Sequence, residues 1–396
     1  MPNPIDSILI RHLSPKNFLS FGPNNSGIEL GALNLFIGPN GCGKSNLIEA
    51  ISLMRSAPKE LREITEAGGG VAEWIWKGQP KAAASVDWVL SNPNGVMPLR
   101  HTLSFRAVSQ AFSLDDERVE NEVSQPGQDD VYFYYRYQRG QPVVNATANG
   151  RRGLEPKKTI DHDRSILAQL RDAETYPELS WLAQNYEKVR IYREWAFGRS
   201  AVFREPQRAD NRNDFLREDF ANLGLFLNRL KTRFPAAKKT LLNGLKDLYD
   251  GINDFDILIE GGTVQVFLTE REFVIPATRL SDGTLRYLCL LAILCDPEPP
   301  PLICLEEPEL GLHPDILPKV ADMLRAASER TQIIVTTHSD ILVDSMTDCP
   351  DTVVVCEKHE GETEMNRLSA TDLAVWLEKY RLGQLWIDGQ LGGKRW

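Results

Sequence analysis

Residues 38–45 read GPNGCGKS and match G-x-x-x-x-G-K-[ST], a pattern whose glycine-rich backbone surrounds the phosphates of a nucleotide. The apolar run at residues 33–37 predicts a short buried strand, and residues 46–53 predict a helix. The glycines therefore fall at a strand-to-helix turn, where backbone amides and the positive end of the helix attract anions. The alternative is a chance glycine-rich turn, and this context argues against it.

The side chains of the motif have separate predicted tasks. We expect Lys44 to reach the β- and γ-phosphates and the Ser45 hydroxyl to ligate Mg²⁺. The predicted cofactors are therefore ATP and magnesium. The residues expected to bind the nucleotide in this loop are Gly38, Asn40, Gly41, Gly43, Lys44, Ser45 and Asn46.

An acidic motif, LICLEE at residues 302–307, places two carboxylates after a run typical of a strand buried in a parallel sheet. We assign Glu306 to the magnesium shell and Glu307 to polarising the attacking water. Taken alone, the segment could also be a solvated acidic loop after a core strand. Its order relative to the other motifs favours the catalytic interpretation.

A histidine motif, TTHS at residues 336–339, follows a β-branched strand predicted at residues 332–335. His338 would then lie at the carboxyl end of a strand, the edge where open α/β sheets bind ligands. An imidazole there could contact the γ-phosphate and sense its loss. A lone histidine is more often structural, so this assignment depends on the neighbouring motifs.

The fourth motif, LSDGT at residues 280–284, precedes a strongly apolar helical stretch at residues 285–295. Ser281 and Gly283 would lie at a helix N-terminus, which is another site that attracts anions. An ordinary helix capped by Ser281 is the alternative.

The order of these motifs resembles the ABC-type ATPases of the RecF, SMC and OLD group, over about residues 8–55 and 279–357. The resemblance implies an α/β fold, the ABC-type P-loop NTPase head, with a mixed or parallel sheet, and an ATPase activity. In that group LSDGT corresponds to the signature that faces ATP bound by the opposite subunit. Ser281 and Gly283 would then complete a neighbour's site, giving a homodimer with two ATP molecules between its heads. A higher oligomer stays open.

Three further segments are compared with the same group. Residues 17–21, NFLSF, are similar to its N-terminal strand, with Leu19 where many members have a basic residue. Gln79 is the candidate for the Q-loop glutamine. Residues 309–314, ELGLHP, resemble the D-loop, which would place His313 at the dimer seam.

The predicted organisation has four parts. The first half of the ATPase head, with a β lobe, covers residues 1–140, and a mainly helical insertion covers residues 141–260. The second half of the head covers residues 261–360, and a C-terminal helix and tail cover residues 361–396. Alternating or β-branched patterns predict antiparallel strands at 86–90, 100–106 and 131–139, with a loop at 115–130. Strands that return to the ATPase core are predicted at 262–268 and 272–275. Helical spacing predicts helices at 165–170, 178–187, 215–229 and 236–249. No heptad pattern is sustained, so long coiled-coil arms are not expected.

The composition bears on partners and location. A net charge of −10 and a pI near 5.3 give no global attraction for nucleic acid. Two basic clusters lie at residues 151–152 with 157–158, and at residues 231–233 with 238–239. Each could form a local patch that binds nucleic acid, although a solvated face is the default interpretation. No apolar run approaches the roughly 20 residues that span a bilayer, and the first ten residues lack a signal-peptide pattern. We expect a cytoplasmic protein with no membrane contact, whose six scattered cysteines stay reduced.

The C-terminal region bears on nuclease activity. OLD-family nucleases continue into a TOPRIM domain that carries a D-x-D pair, whereas Asp372 and Asp388 are the aspartates that follow Glu357 here. We therefore expect that the chain does not itself cut nucleic acid. Trp386 and Trp396 lie among glycines and are expected to be exposed. A disordered tail and a segment that docks on a partner both stay open.

Two functions stay open at this point. In the first, ATP-gated assembly makes the protein a sensor or scaffold of a bacterial anti-phage defence system that controls a separate effector protein. In the second, the protein is a RecF-like clamp that binds DNA during repair or maintenance. The acidic charge and the lack of arms favour the first.

Overall fold

The computed structural model describes residues 8–92, 95, 97–138, 141–148, 151–154, 160–161, 163–248 and 251–393. Its strands in chain order are β1 (Ile10–Lys16), β2 (Ile28–Glu29), β3 (Leu33–Ile37), β4 (Ala84–Leu90), β5 (Leu99–Val108), β6 (Ala111–Asn121), β7 (Phe133–Gln138), β8 (Gln141–Ala148), β9 (Arg151–Leu154), β10 (Arg190–Tyr192), β11 (Gln207–Arg208), β12 (Ile252–Glu260), β13 (Thr263–Glu270), β14 (Phe273–Pro276), β15 (Leu302–Glu306), β16 (Gln332–Thr336), β17 (Val353–His359) and β18 (Glu362–Arg367). Its α-helices are α1 (Lys44–Ser56), α2 (Leu61–Ala67), α3 (Val71–Trp74), α4 (Ile166–Gln169), α5 (Pro177–Lys188), α6 (Leu223–Arg233), α7 (Pro235–Leu248), α8 (Asp282–Leu294), α9 (Leu317–Ser328), α10 (Asp340–Asp344), α11 (Ala370–Leu377) and α12 (Leu382–Ile387). None of these helices is long and apolar enough to cross a membrane, within the part of the chain described.

The strands that precede three of the motifs are neighbours in one sheet of order β10-β15-β16-β3-β17-β18. Its first five strands run parallel, and β18 pairs antiparallel with β17. Every residue of β3 and β16 is buried, as expected for interior strands of a parallel sheet with both faces covered. The carboxyl ends of β15, β16 and β3 therefore meet at one edge, which brings the motifs together.

An antiparallel sheet of order β2-β1-β4-β5-β6-β7-β8-β9 forms the β lobe. It confirms the strands predicted at residues 86–90 and 100–106. The strand predicted at residues 131–139 is present as β7, and Arg139 lies outside the described residues. The aromatic side chains of Phe18 and Phe105 from this lobe pack in the same apolar cluster as the buried face of α1. The lobe therefore packs against the helix that follows the glycine-rich loop.

The loop predicted at residues 115–130 is partly wrong. β6 extends to Asn121 and pairs with β5 along its length, so the described loop is confined to residues 122–132. The polar composition of β6 misled the prediction because Glu117 and Glu120 are buried and hydrogen-bonded inside the fold. Glu117 is fully buried and accepts hydrogen bonds from the Ser165 hydroxyl at 2.6 Å and the Ile166 amide at 2.8 Å.

The strands predicted at residues 262–268 and 272–275 are present as β13 and β14, and Val266 and Leu268 of β13 lie in the same buried apolar cluster as β3. Their sheet is antiparallel and separate from the central sheet, and in it β13 pairs with β11, β12 and β14. Two adjacent short runs with a tight turn favour pairing with each other over insertion into a parallel sheet.

The helices predicted at residues 165–170 and 178–187 are confirmed as α4 and α5. The helix at residues 236–249 is confirmed as α7, and Tyr249 lies outside the described residues. The start predicted for the helix at residues 215–229 is wrong, because α6 begins only at Leu223. Phe220 has φ of 58°, and the side-chain amide of Asn222 donates to the backbone carbonyls of Arg212 and Phe215. These side-chain hydrogen bonds hold the segment in a non-helical turn.

Residues 141–260, predicted to be mainly helical, contain α4–α7 and also β8–β12, of which β10 belongs to the central sheet. The three boundaries between the four predicted parts stay a prediction. All six cysteines are free thiols, as expected.

The expected exposure of Trp386 is wrong. Leu382, Leu385 and Trp386 lie on one face of α12 and are at most 2% exposed, because this face packs against α10. The Trp386 indole N–H donates to the Gly393 carbonyl at 3.2 Å, and the Gly393 amide donates to Glu357 Oε1 at 2.7 Å. Helix α12 is therefore anchored in the fold, while Trp396 lies outside the described residues.

This packing gives a stability prediction. Replacing Trp386 with Ala should lower the free energy of unfolding by roughly 3–5 kcal/mol, because it removes a buried aromatic side chain. Urea unfolding measures the change. Trp376→Ala on α11 is the matched control. Because Trp376 is 46% exposed, this substitution should lower the free energy of unfolding by less than about 1 kcal/mol. Equal losses in the two variants would contradict the assignment of Trp386 to the core.

Candidate nucleotide site

The glycine-rich loop turns from β3 into α1 through backbone conformations that favour glycine. Gly38, Gly41 and Gly43 have φ of 144°, 77° and 106°. A Cβ atom at Gly38 would lie 2.2 Å from the Cys356 carbonyl oxygen, and one at Gly43 would lie 2.2 Å from Thr363 Oγ1. The loop can pack this closely against β17 and β18 only with glycine at both positions.

Lys44 is 6% exposed and folds back over the loop that precedes it. Its Nζ donates to the carbonyls of Gly38 at 2.9 Å and Pro39 at 3.0 Å, and lies 3.7 Å from Cys42 Sγ. The ammonium group therefore lies inside the curve of the loop, where a phosphate bound by the loop amides would meet it.

Two hydroxyl groups outside the motif hold the loop in place. Thr363 on β18 donates from Oγ1 to the Cys42 carbonyl at 2.7 Å. Ser20 Oγ accepts a hydrogen bond from the Asn46 side-chain amide at 2.7 Å. The same oxygen forms a hydrogen bond with Thr363 Oγ1, also at 2.7 Å. Asn46, which was predicted to bind nucleotide, is thus engaged in fixing the loop, whereas Asn40 and Gly41 are exposed at its tip.

The predicted magnesium ligands are in contact. The Ser45 hydroxyl donates to Glu306 Oε1 at the end of β15. A hydroxyl and a carboxylate are hard oxygen ligands that suit Mg²⁺. Within the described residues no group of three or more His, Cys, Asp and Glu side chains forms a metal site by itself. Ser45 and Glu306 therefore fit a magnesium ion that takes further ligands from phosphate and water.

The residues predicted for catalysis also lie together. His338 Nε2 is 3.5 Å from Glu307 Oε1, and both side chains are about one-third exposed. Glu307 has φ of 48°, an uncommon left-handed conformation for a side-chain-bearing residue. Its amide donates to the Thr336 carbonyl at 2.9 Å, and its carbonyl accepts from the Leu310 amide at 3.2 Å, so hydrogen bonds on both sides hold it.

The signature residues lie at the surface. Ser281 is the N-cap of α8, where its Oγ accepts from the Thr284 amide at 3.0 Å, and it is exposed. A Cβ atom at Gly283 would lie 3.2 Å from the Gly311 carbonyl, so this glycine packs on the segment that resembles a D-loop. The Ser281 cap that an ordinary helix would have is therefore present. Because Ser281 is exposed, this end of the helix is still available to another molecule.

Sequence reasoning missed Arg193 and Trp195, which follow β10. Arg193 Nε lies 3.7 Å from Glu306 Oε2, and its guanidinium also pairs with Glu49 on α1. The Trp195 indole N–H donates to the Glu306 carbonyl at 2.6 Å. The strand β10 has only three residues, too few for a periodic pattern to mark it before the structure was known.

Arg286 was also missed, although an arginine within an apolar helical stretch is a usable signal. From α8 it donates to the carbonyls of Leu310 and Trp195, and its guanidinium lies 4.6 Å from the centroid of the Phe197 ring. Burial lowers the pKa of Arg286. The arginine thus connects the signature helix to the segment that follows Glu307 and to the tryptophan that binds Glu306.

Other predicted residues do not join this cluster. Gln79 is exposed, and its described backbone hydrogen bonds are with Trp76, Ala82 and Asn17 rather than with the glycine-rich loop. His313 is 71% exposed and caps a 3₁₀ turn by accepting from the Asp315 amide at 3.3 Å.

The basic clusters are only partly visible. Lys231 pairs with Asp256, and Lys238 pairs with Asp254, which supports the interpretation as a solvated face. The side chains of residues 151–152, and the whole of Lys157 and Lys158, lie outside the described parts of the chain.

A family model described as "AAA domain, putative AbiEii toxin, Type IV TA system" matches residues 33–344, which include all four motifs. The chain belongs to this family. Its family is that of the SMC-like, ABC-type P-loop ATPases. The resemblance predicted from the motifs is therefore confirmed.

The AAA domain is also similar to the chromosome partition protein Smc of Coxiella burnetii (strain RSA 493 / Nine Mile phase I). The two are 23% identical over 222 residues, which is 53% of this chain and 17% of the Smc protein. The match thus spans about one-sixth of the length of that relative.

Solved Smc heads share the fold. A head bound to the C-terminal winged-helix domain of ScpA superposes with a TM-score of 0.58 and 15% identity, covering 92% of this chain and 99% of the head. A Pyrococcus furiosus head with an extended coiled coil, bound to the C-terminal domain of ScpA, gives 0.56 and 14%, covering 94% and 99%. The predicted ABC-type P-loop fold is therefore confirmed.

The geometry of Lys44 gives a binding prediction. Lys44→Ala should weaken ATP binding by at least about ten-fold, because a hydrogen bond to a charged group contributes about 1.5–3 kcal/mol. Titration calorimetry with ATP and Mg²⁺ measures the dissociation constant. Lys59→Ala, which removes an exposed lysine just beyond α1, is the control and should bind like the unaltered protein. Unchanged affinity in Lys44→Ala would contradict the placement of phosphates in this loop.

Proposed function

We propose that this chain hydrolyses ATP with Mg²⁺ and uses the reaction as a switch between separate and paired heads. The observation that carries the proposal is the meeting of three elements at one edge of the central sheet. These are the buried Lys44 ammonium, the contact between Ser45 and Glu306, and the pair formed by Glu307 and His338.

The roles follow from chemistry and position. Lys44 and the loop amides would bind the β- and γ-phosphates, and Ser45 with Glu306 would hold Mg²⁺, which supplies positive charge against the phosphate oxygens. The Glu307 carboxylate would orient a water molecule and accept its proton as the water oxygen bonds to the γ-phosphorus. The bond between that phosphorus and the bridging oxygen breaks, which leaves ADP and phosphate. His338 would sense the loss of the γ-phosphate.

The exposed N-terminus of α8 supports pairing of heads. Ser281 makes its described hydrogen bonds within its own helix, so its exposed side is available to ATP on a second copy. We propose an ATP-sandwiched homodimer, in which Ser281 and Gly283 complete the neighbour's site. A higher oligomer built from such dimers stays part of the proposal.

The biological role that we propose is control of a separate effector protein in a bacterial anti-phage defence system, in the cytoplasm. The family description, which names a putative AbiEii toxin and a type IV toxin–antitoxin system, supports this setting. The net charge of −10 and the ion pairs at Lys231 and Lys238 weaken attraction to nucleic acid, which supports a protein partner. We also propose that the chain does not itself cut nucleic acid.

A DNA-binding clamp is the second candidate, and the similarity to chromosome partition protein Smc is the observation that favours it. Binding to duplex DNA that requires ATP and weakens steeply with salt would support the clamp.

Dimerisation is tested with Glu307→Gln, which keeps the side-chain size and removes the carboxylate that would accept a proton. Mass photometry with ATP and Mg²⁺ should show mostly dimer, because ATP stays bound, and mostly monomer without ATP. Adding Lys44→Ala to the same variant should abolish the ATP-dependent dimer. An equal monomer fraction with and without ATP in Glu307→Gln would overturn the sandwich model.

The partner is tested by purifying the Glu307→Gln protein from its native host in the presence of ATP. A second protein at a fixed ratio, lost when Lys44→Ala is added, is the result expected for an effector. Nucleic acid in place of a protein would move the conclusion to the clamp.

A further inference from the structure

Glu309 has an unusual environment for a glutamate that follows two other acidic residues. Its Oε1 accepts hydrogen bonds from Thr337 Oγ1 at 2.6 Å and from the His338 amide at 2.8 Å. A single carboxylate oxygen thus connects the segment after β15 to the segment after β16. Burial raises the pKa of this carboxyl group.

Stability alone does not account for this arrangement. The second oxygen, Oε2, is buried without a hydrogen-bond partner in the described part of the chain. Burying a carboxylate is costly, and an apolar side chain of similar size would avoid that cost. A residue that costs stability at the edge of the candidate site is more readily explained by what it positions.

The bonds of Glu309 fix the backbone that carries His338. Thr337 donates its hydroxyl to Glu309 while accepting from the Ser339 amide at 3.0 Å, and Ser339 caps α10. The residues on both sides of His338 are therefore held, and its imidazole lies 3.5 Å from Glu307 Oε1.

Glu309 also begins the segment that the signature helix contacts. The next residue, Leu310, accepts a hydrogen bond from Arg286 on α8, and its amide donates to the Glu307 carbonyl. A displacement of α8 can therefore reach both members of the pair, directly at Glu307 and through Glu309 at His338.

We propose that Glu309 is a positioning residue that holds His338 against Glu307 and transmits movement of the signature helix to this pair. The proposal rests on the proposed ATP hydrolysis for its functional consequence. Its structural part concerns the segment 337–339 alone.

The first test compares two substitutions with steady-state ATPase kinetics. Glu309→Gln keeps an oxygen that can accept both hydrogen bonds, and kcat should stay within about two-fold of the unaltered protein. Glu309→Met has similar length and no such acceptor, and kcat should fall at least about ten-fold, the equivalent of one lost hydrogen bond to a charged group. KM for ATP should change less than about two-fold, because Lys44, Ser45 and Glu306 are untouched.

The second test is hydrogen–deuterium exchange of the nucleotide-free protein, which needs no ATPase activity. The peptide covering residues 337–339 should exchange faster in Glu309→Met and at the original rate in Glu309→Gln. Glu329→Met, at the exposed end of α9, is the control and should change neither exchange nor kcat. Thr337→Val should give a smaller change in the same direction and add little to Glu309→Met, because the two side chains share one bond.

The outcomes separate this proposal from the proposed function. Unaltered protein that hydrolyses no ATP would overturn the ATPase proposal, while faster exchange in Glu309→Met alone would still support the positioning contact. Unchanged exchange and kcat in Glu309→Met would overturn the role of Glu309, as would Glu309→Gln that is as defective as Glu309→Met. A rise in KM that matches the fall in kcat would assign Glu309 to ATP binding instead, and would also overturn it.

Discussion

The structure depends on the parallel pairing of β15, β16 and β3. Their register aligns Glu306 with Thr336, and Thr336 with Phe36, so three strand ends finish at the same height. Because parallel strands end on one edge, groups 261 positions apart in sequence come within hydrogen-bonding distance. The contact of Ser45 with Glu306 and the approach of His338 to Glu307 are consequences of this register, and no local feature of either segment could produce them.

The other parts of the fold hold this edge in shape. Thr363 and Ser20 hold the glycine-rich loop from behind, and Arg286 connects the signature helix to the segment after Glu307. The central edge is therefore bound by polar contacts to elements on both sides. Such contacts tie the candidate catalytic pair to the exposed helix end at Ser281, which is the geometry that a switch between separate and paired heads requires.

Local patterns predicted the parts of the fold whose cause is local. The buried strand β3, the turn of glycines and the helix α1 all follow from short-range spacing, and they were predicted correctly. Predictions were wrong where tertiary contacts decide. Residues 115–121 of β6 were taken as a loop, although Glu117 is held there by Ser165 and Ile166, and Trp386 was taken as exposed, although its helix packs against α10. The role of Glu309 was hidden for the same reason, since its two bonds reach residues 337 and 338.

The position of β3 has a consequence for how the protein is made. This strand precedes both of its sheet neighbours, β16 and β17, which come from residues beyond 331. Since chains emerge from the ribosome in order, β3 must wait without either neighbour while some 300 residues are added. The apolar strand beneath the glycine-rich loop therefore lacks both sheet neighbours until residues 332–355 have been added. The glycine-rich loop likewise lacks the contacts to Cys356 and Thr363 until β17 and β18 have followed, so its final shape depends on strands made long after it.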